Sequence, residues 1–143
     1  MQKTPHKTVL VGGCFDILHY GHIHFLKKAK GLGTYLVVAL ESDQNIKKLK
    51  GNGRPIHSQI QRREILESID FVDEVISLPD SMTDNDYWRL VESVKPQIIA
   101  VTKGDPIIDK KRNQAEKFGA KLIEIEKIKV PSTSQIINIL DVE

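Results

Sequence analysis

Cysteine is almost missing from this sequence. Cys14 stands alone, so no disulfide can form within the chain, which suits a reducing compartment. Surplus charge is also scarce: 21 Lys and Arg against 19 Asp and Glu leave a formal charge of +2. With aromatics at 6% there is no basic stripe with interleaved rings, so a nucleic-acid partner is not expected and any anion site must be local. No apolar run approaches the roughly 20 residues that cross a bilayer. The opening MQKTPHKTVLVGG lacks the apolar centre of a signal peptide. We read a cytoplasmic protein with no membrane partner. Repeats and low-complexity linkers are absent too, and 143 residues read as one domain, 1–143, large enough to bury a core without metals or disulfides.

What the sequence has is five apolar, β-branched runs: TVLVGG from Thr8, YLVVAL from Tyr35, VDEVISL from Val72, QIIAVT from Gln97 and KLIEIE from Lys121. Their continuous character suits strands covered on both faces. Helical patterns lie between them, over 21–31, 59–69, 84–94 and 109–118, with a last one over 132–140. This alternation predicts an α/β fold, a Rossmann-like, doubly wound, five-stranded parallel sheet whose ligand sits beyond the carboxyl ends of the strands. The stretch KKLKGNGRPIHS, residues 47–58, reads as one long mobile cationic loop.

The chemistry concentrates in GGCFDILHYGHIHFLKKAK, from Gly12 to Lys30. Glycines at a strand end let the backbone turn tightly and approach a ligand. A helix starting near Gly21 then points free N–H groups and a positive dipole end at the same space, which makes an anion site. His19 and His22, three apart at that helix start, can face one side and donate hydrogen bonds to phosphate oxygens as charge accumulates. Together with His24 they are a poor match to a zinc ligand set, and no metal site is read. Asp16 also suits a helix or turn cap, and Cys14 suits a small buried residue at a strand end. At the other end of the chain, PSTSQII repeats the same logic: Pro131 stops the preceding segment, Ser132 or Thr133 caps a helix, and hydroxyls with free N–H groups can hold phosphates.

GCFDILHYGH resembles the His-x-Gly-His signature of the cytidylyltransferase-like nucleotidyltransferases, and the similarity continues through LKGNGRPI, QRREILESIDFVDEVI and PSTSQII. The resemblance implies a reaction in which a substrate phosphate attacks the α-phosphorus of a nucleoside triphosphate, ATP or CTP, and pyrophosphate leaves. A magnesium ion is expected with the triphosphate. It implies His19, His22, Lys50 and Thr133 as catalytic groups. Gly13, Cys14, Phe15, Asp16, Gly21, Arg62, Asp105, Ser132, Thr133 and Ser134 are implied around the nucleotide. Homodimers are common among similar enzymes.

Glycerol-phosphate cytidylyltransferases carry Arg-Thr-Glu-Gly-Ile where this chain reads Lys127-Ile128-Lys129-Val130-Pro131. Adenylyltransferases acting on heptose 1-phosphate share the LKG, RP and QR spacing, which favours ATP and a phosphorylated acceptor such as a sugar phosphate. TKGDP, 102–106, stands where those enzymes have KGGDY, which puts Asp105 at the family's aspartate only imperfectly. FMN adenylyltransferase, glycerol-3-phosphate cytidylyltransferase and a non-catalytic nucleotide-binding regulator are the competing readings.

Overall fold

The computed structural model describes residues 6–141. Five strands, β1 (Thr8–Gly13), β2 (Tyr35–Leu40), β3 (Glu74–Ser77), β4 (Ile98–Thr102) and β5 (Lys121–Ile125), form one sheet in the order β3-β2-β1-β4-β5. Every pairing is parallel, with Val9 opposite both Leu36 and Ile98. Among the described residues, six helices connect and close it: α1 (Tyr20–Gly31), α2 (Asp43–Lys50), α3 (Gln59–Glu67), α4 (Asp84–Val94), α5 (Ile108–Lys117) and α6 (Thr133–Asp141).

Alternation along the strands explains the two layers. Val9 and Val11 point to one face and join Leu36, Val38, Leu26 of α1 and Leu66 of α3. Leu10 points to the other, with Val37, Ile99, Val91 of α4 and Ala115 of α5. A strand buried on both faces must be apolar throughout, hence the unbroken runs in the sequence. The chain winds outward from β1 to β3, then returns through α4 to β4 on the other side of β1. The strand order therefore reverses between β1 and β4, and the carboxyl ends of these two strands diverge to leave a crevice.

The segment 47–58 is not one mobile loop. Lys47–Lys50 belong to α2, whose start is capped by the Ser42 hydroxyl accepting from the Asn45 N–H, and whose lysines sit in the last turn where the dipole favours cations. The rest is tied down, as described below. No helix among the described residues is long and apolar enough to cross a membrane.

Candidate functional site

Between β1 and α1 the chain makes a turn, 14–18, whose backbone is costly to hold. Phe15 (φ 48°) and Ile17 (φ 49°) both lie in the left-handed region, which a β-branched residue almost never adopts. Such residues cost about 1–3 kcal/mol each and persist where their surroundings over-determine them. Gly13 makes the turn possible: a Cβ there would lie 2.9 Å from the Phe15 ring, which folds back under the strand end.

Three side chains hold the turn. Asp16, 2% exposed, accepts the backbone N–H groups of Ile56 (2.8 Å) and His57 (3.0 Å) and the Arg54 Nε–H (3.2 Å). It caps no helix; it fastens the 51–58 segment to the turn. Arg62, fully buried, donates to the carbonyls of Cys14 (2.7 Å) and His57 (3.0 Å) and to Asp43 Oδ1 (2.7 Å). Its guanidinium is spent on the protein and it does not line the cavity. The expectation that it contacts nucleotide is thus corrected: α3 points it inward, where three acceptors await it. The third is Thr133, whose Oγ1 donates to the carbonyls of Asp16 (2.8 Å) and Ile17 (3.3 Å). That proton is not available to a phosphate.

The two histidines form the cap of α1. His19, in extended backbone at the N-cap, accepts the Gly21 N–H on Nδ1 (3.1 Å), while His22 Nδ1 accepts the His19 N–H (3.2 Å). This is a capping box built from imidazoles. With Nδ1 an acceptor in both rings, the neutral form must carry its proton on Nε2. The rings stack, centroids 3.9 Å apart. Burial, then the neighbouring His19, pushes His22 down to about 4, and burial lowers His19 as well. At neutral pH both are uncharged Nε2–H donors. The first turn of α1 holds no acidic residue, so its positive end is not neutralised from within.

A cavity of about 400 Å³ opens at the carboxyl ends of β1 and β4. Gly13 to Asp16, His19, Gly21, His22, Lys50, Asp105 and Ser132 to Ser134 all line it. The first and last motifs of the chain therefore share one wall. Of the three lysines in α2, Lys50 alone reaches the cavity. Cys14 is held as a thiol, its pKa raised by burial and then by Glu41, so it is a poor nucleophile. Asp105 accepts the Ile107 N–H (2.9 Å) and the Lys111 ammonium (2.6 Å). Burial opposes its ionisation, but those hydrogen bonds outweigh it and keep the carboxyl below its usual range. His24 lines the cavity too, yet among the described residues no group of three His, Cys, Asp or Glu could hold a metal ion.

Sequence reasoning passed over Arg54 and Lys111, which also line the cavity. The signal for Arg54 was present: it is the one cation in the GNGRP stretch. Lys111 sits in a run of three cations and had none.

Residues 10–139 match the family model described as Cytidylyltransferase-like. The bifunctional protein HldE of Campylobacter fetus subsp. fetus (strain 82-40) is 39% identical over 130 residues, 91% of this chain and 27% of that protein. The bifunctional protein HldE of a Nitratiruptor species is 43% identical over 105 residues, 73% of this chain and 22% of its own length. The chain spans about a quarter of the length of these curated relatives. Among solved structures, the lipopolysaccharide core biosynthesis protein from Thermoplasma volcanium GSS1 matches with a TM-score of 0.69 at 30% identity, covering 88% of this chain and 99% of that one. The pantoate-beta-alanine ligase from Francisella tularensis, 18% identical with a TM-score of 0.59 over 88% of this chain and 61% of its own, shares the fold. A match over nearly the whole described sheet and both ends of the cavity wall leaves one conclusion: the chain belongs to the cytidylyltransferase-like family.

Proposed function

We propose that this chain is a nucleotidyltransferase that transfers AMP from ATP to a small phosphorylated acceptor, a sugar phosphate, and releases pyrophosphate. The observation that carries the proposal is the convergence of His19, His22 and the start of α6 on one cavity at the switch point of the sheet. Two helix starts and two Nε2–H donors form an anion site without an acidic rival in the first turn of α1.

In the reaction an acceptor phosphate oxygen attacks the α-phosphorus in line; the bond from that phosphorus to the bridging oxygen breaks, and the electron pair leaves with pyrophosphate. His19 and His22 donate to the phosphate oxygens as charge accumulates, and Lys50, at the end of α2, adds a positive charge. No protein nucleophile is needed, in keeping with the protonated Cys14. The donor set fits a magnesium ion carried mainly by the nucleotide, because Asp16 and Asp105 are engaged by protein donors. When bound, such an ion neutralises triphosphate charge.

ATP is favoured over CTP by the LKG, RP and QR spacing, and by Lys127–Pro131 standing in place of Arg-Thr-Glu-Gly-Ile. A sugar phosphate is supported by the same spacing and by the name of the Thermoplasma volcanium protein. Pyrophosphate release with ATP or CTP against heptose 1-phosphate, other sugar phosphates, glycerol 3-phosphate and FMN tests the proposal. Turnover with ATP and a sugar phosphate is expected. Preference for CTP overturns the choice of nucleotide, and tight ATP binding with no turnover on any acceptor favours a regulator.

A further inference from the structure

We infer that Arg54 grips the β- and γ-phosphates of the nucleotide, and that Asp16 and Ser134 hold its guanidinium ready for them. The inference rests on the nucleotidyltransferase reading and adds a phosphate-contacting residue to it.

Arg54 is a cavity-lining side chain, only 12% exposed, reaching in from the 51–58 segment. Its Nε–H donates to Asp16 Oδ2 and its Nη1 to Ser134 Oγ, each at 3.2 Å. Ser134 stands in the first turn of α6, so the guanidinium already lies at the helix start that suits a phosphate. Of its five N–H groups these two contacts use two; Nη2 makes no hydrogen bond to any described residue. A planar guanidinium with N–H groups left over can take two phosphate oxygens at once.

The surroundings favour this role over a purely structural one. Asp16 is shared among three donors, two of them backbone N–H groups that hold the 51–58 segment without help from Arg54. A loop anchored by Asp16 and Arg62 gains little from a third tie to an exposed serine. The other lining cations are placed differently: Lys111 is engaged by Asp105, Lys50 ends α2, and Lys127 is an exposed residue of the segment after β5. Among the described residues, Arg54 is the lining cation hydrogen-bonded both to the turn after β1 and to the start of α6. Charge on the leaving pyrophosphate grows as its bond to the α-phosphorus breaks, so a guanidinium there favours departure.

The test is calorimetric binding of inorganic pyrophosphate, ATP and AMP, with magnesium present, to the wild type, Arg54→Ala and Arg54→Lys. AMP lacks the β- and γ-phosphates and is the control. Arg54→Ala is expected to weaken pyrophosphate and ATP about tenfold or more while AMP binding stays within twofold. Arg54→Lys keeps the charge without the fork and should fall between. Equal loss of AMP and ATP binding in both variants would show a loop-anchoring role and overturn the inference, as would unchanged pyrophosphate binding. A wild type that binds neither ATP nor pyrophosphate would instead sink the nucleotide reading, and this inference with it.

Discussion

Thr133 Oγ1 donates a hydrogen bond to the backbone carbonyl of Asp16 across 2.8 Å and 117 positions of sequence. The last helix is thereby fastened to the turn after the first strand, in a buried spot where Thr133 is 8% exposed. That turn contains two left-handed residues that would otherwise relax. One hydroxyl therefore supports both halves of the anion site.

Thr133→Val keeps the shape and removes the donor, leaving buried carbonyls of Asp16 and Ile17 short of a partner. The expected cost is about 1–3 kcal/mol of stability in urea unfolding. Thr133→Ser restores the hydroxyl and should recover most of it. A valine variant as stable as the wild type would show that the bond does not hold the turn.

Gly21→Ala separates stability from catalysis. Alanine is the better helix former by about 1 kcal/mol. Yet its Cβ would lie 2.9 Å from His19 Cε1 and 3.0 Å from both His19 Nδ1 and Val130 Cγ2. The imidazole must turn away, and with it the Nε2–H donor. Thermal unfolding within a few degrees of wild type, with turnover down about tenfold or more, is the expected pair of results. Full activity would mean that the ring position is unimportant.

The central strands β1, β2 and β4 were legible because burial on both faces leaves a continuous apolar record, and α4 was legible to the residue because its apolar stripe coincides with the Thr83 cap. Helix α2 left no such record. Its one buried residue is Ile46, and what specifies it is a serine cap and end charges. The arginines were harder still. Arg54 and Arg62 look alike in sequence, and only the third dimension, which brings Cys14 and His57 carbonyls to Arg62 and Ser134 to Arg54, assigns one to the scaffold and the other to the cavity.

Arg62→Leu tests that assignment. Removing the guanidinium strands the carbonyls of Cys14 and His57 and leaves Asp43 without its partner. Breaking such a buried network should cost about 3 kcal/mol with no nucleotide present. A residue that served only to contact nucleotide would leave the unfolding midpoint of the empty protein unchanged.

His22→Ala removes one preorganised donor. The expected loss is about 3 kcal/mol of transition-state stabilisation, seen as a fall of about 100-fold in kcat with a much smaller change in ATP affinity. Equal falls in both would make His22 a ground-state binder.

The same residue makes stability pH-dependent. His22 titrates near 4 in the folded chain, pushed down first by burial and then by His19, against 6.5 when free. Between those values the unfolded chain binds the extra proton and the folded chain does not, so stability rises with pH across this window and is lost as pH falls through it. Protonation would also put a hydrogen on Nδ1, where the His19 N–H is now accepted, and so break the cap. From pH 7 to pH 5 the loss assigned to His22 is about 2 kcal/mol. His19, also lowered, acts in the same direction. In His22→Gln an amide oxygen can still accept the His19 N–H but cannot titrate. Urea unfolding at the two pH values should therefore show a drop in the wild type that exceeds the variant's by about 2 kcal/mol. Equal drops would mean that the imidazole keeps its ordinary pKa and that the capping box does not fix the Nε2–H form.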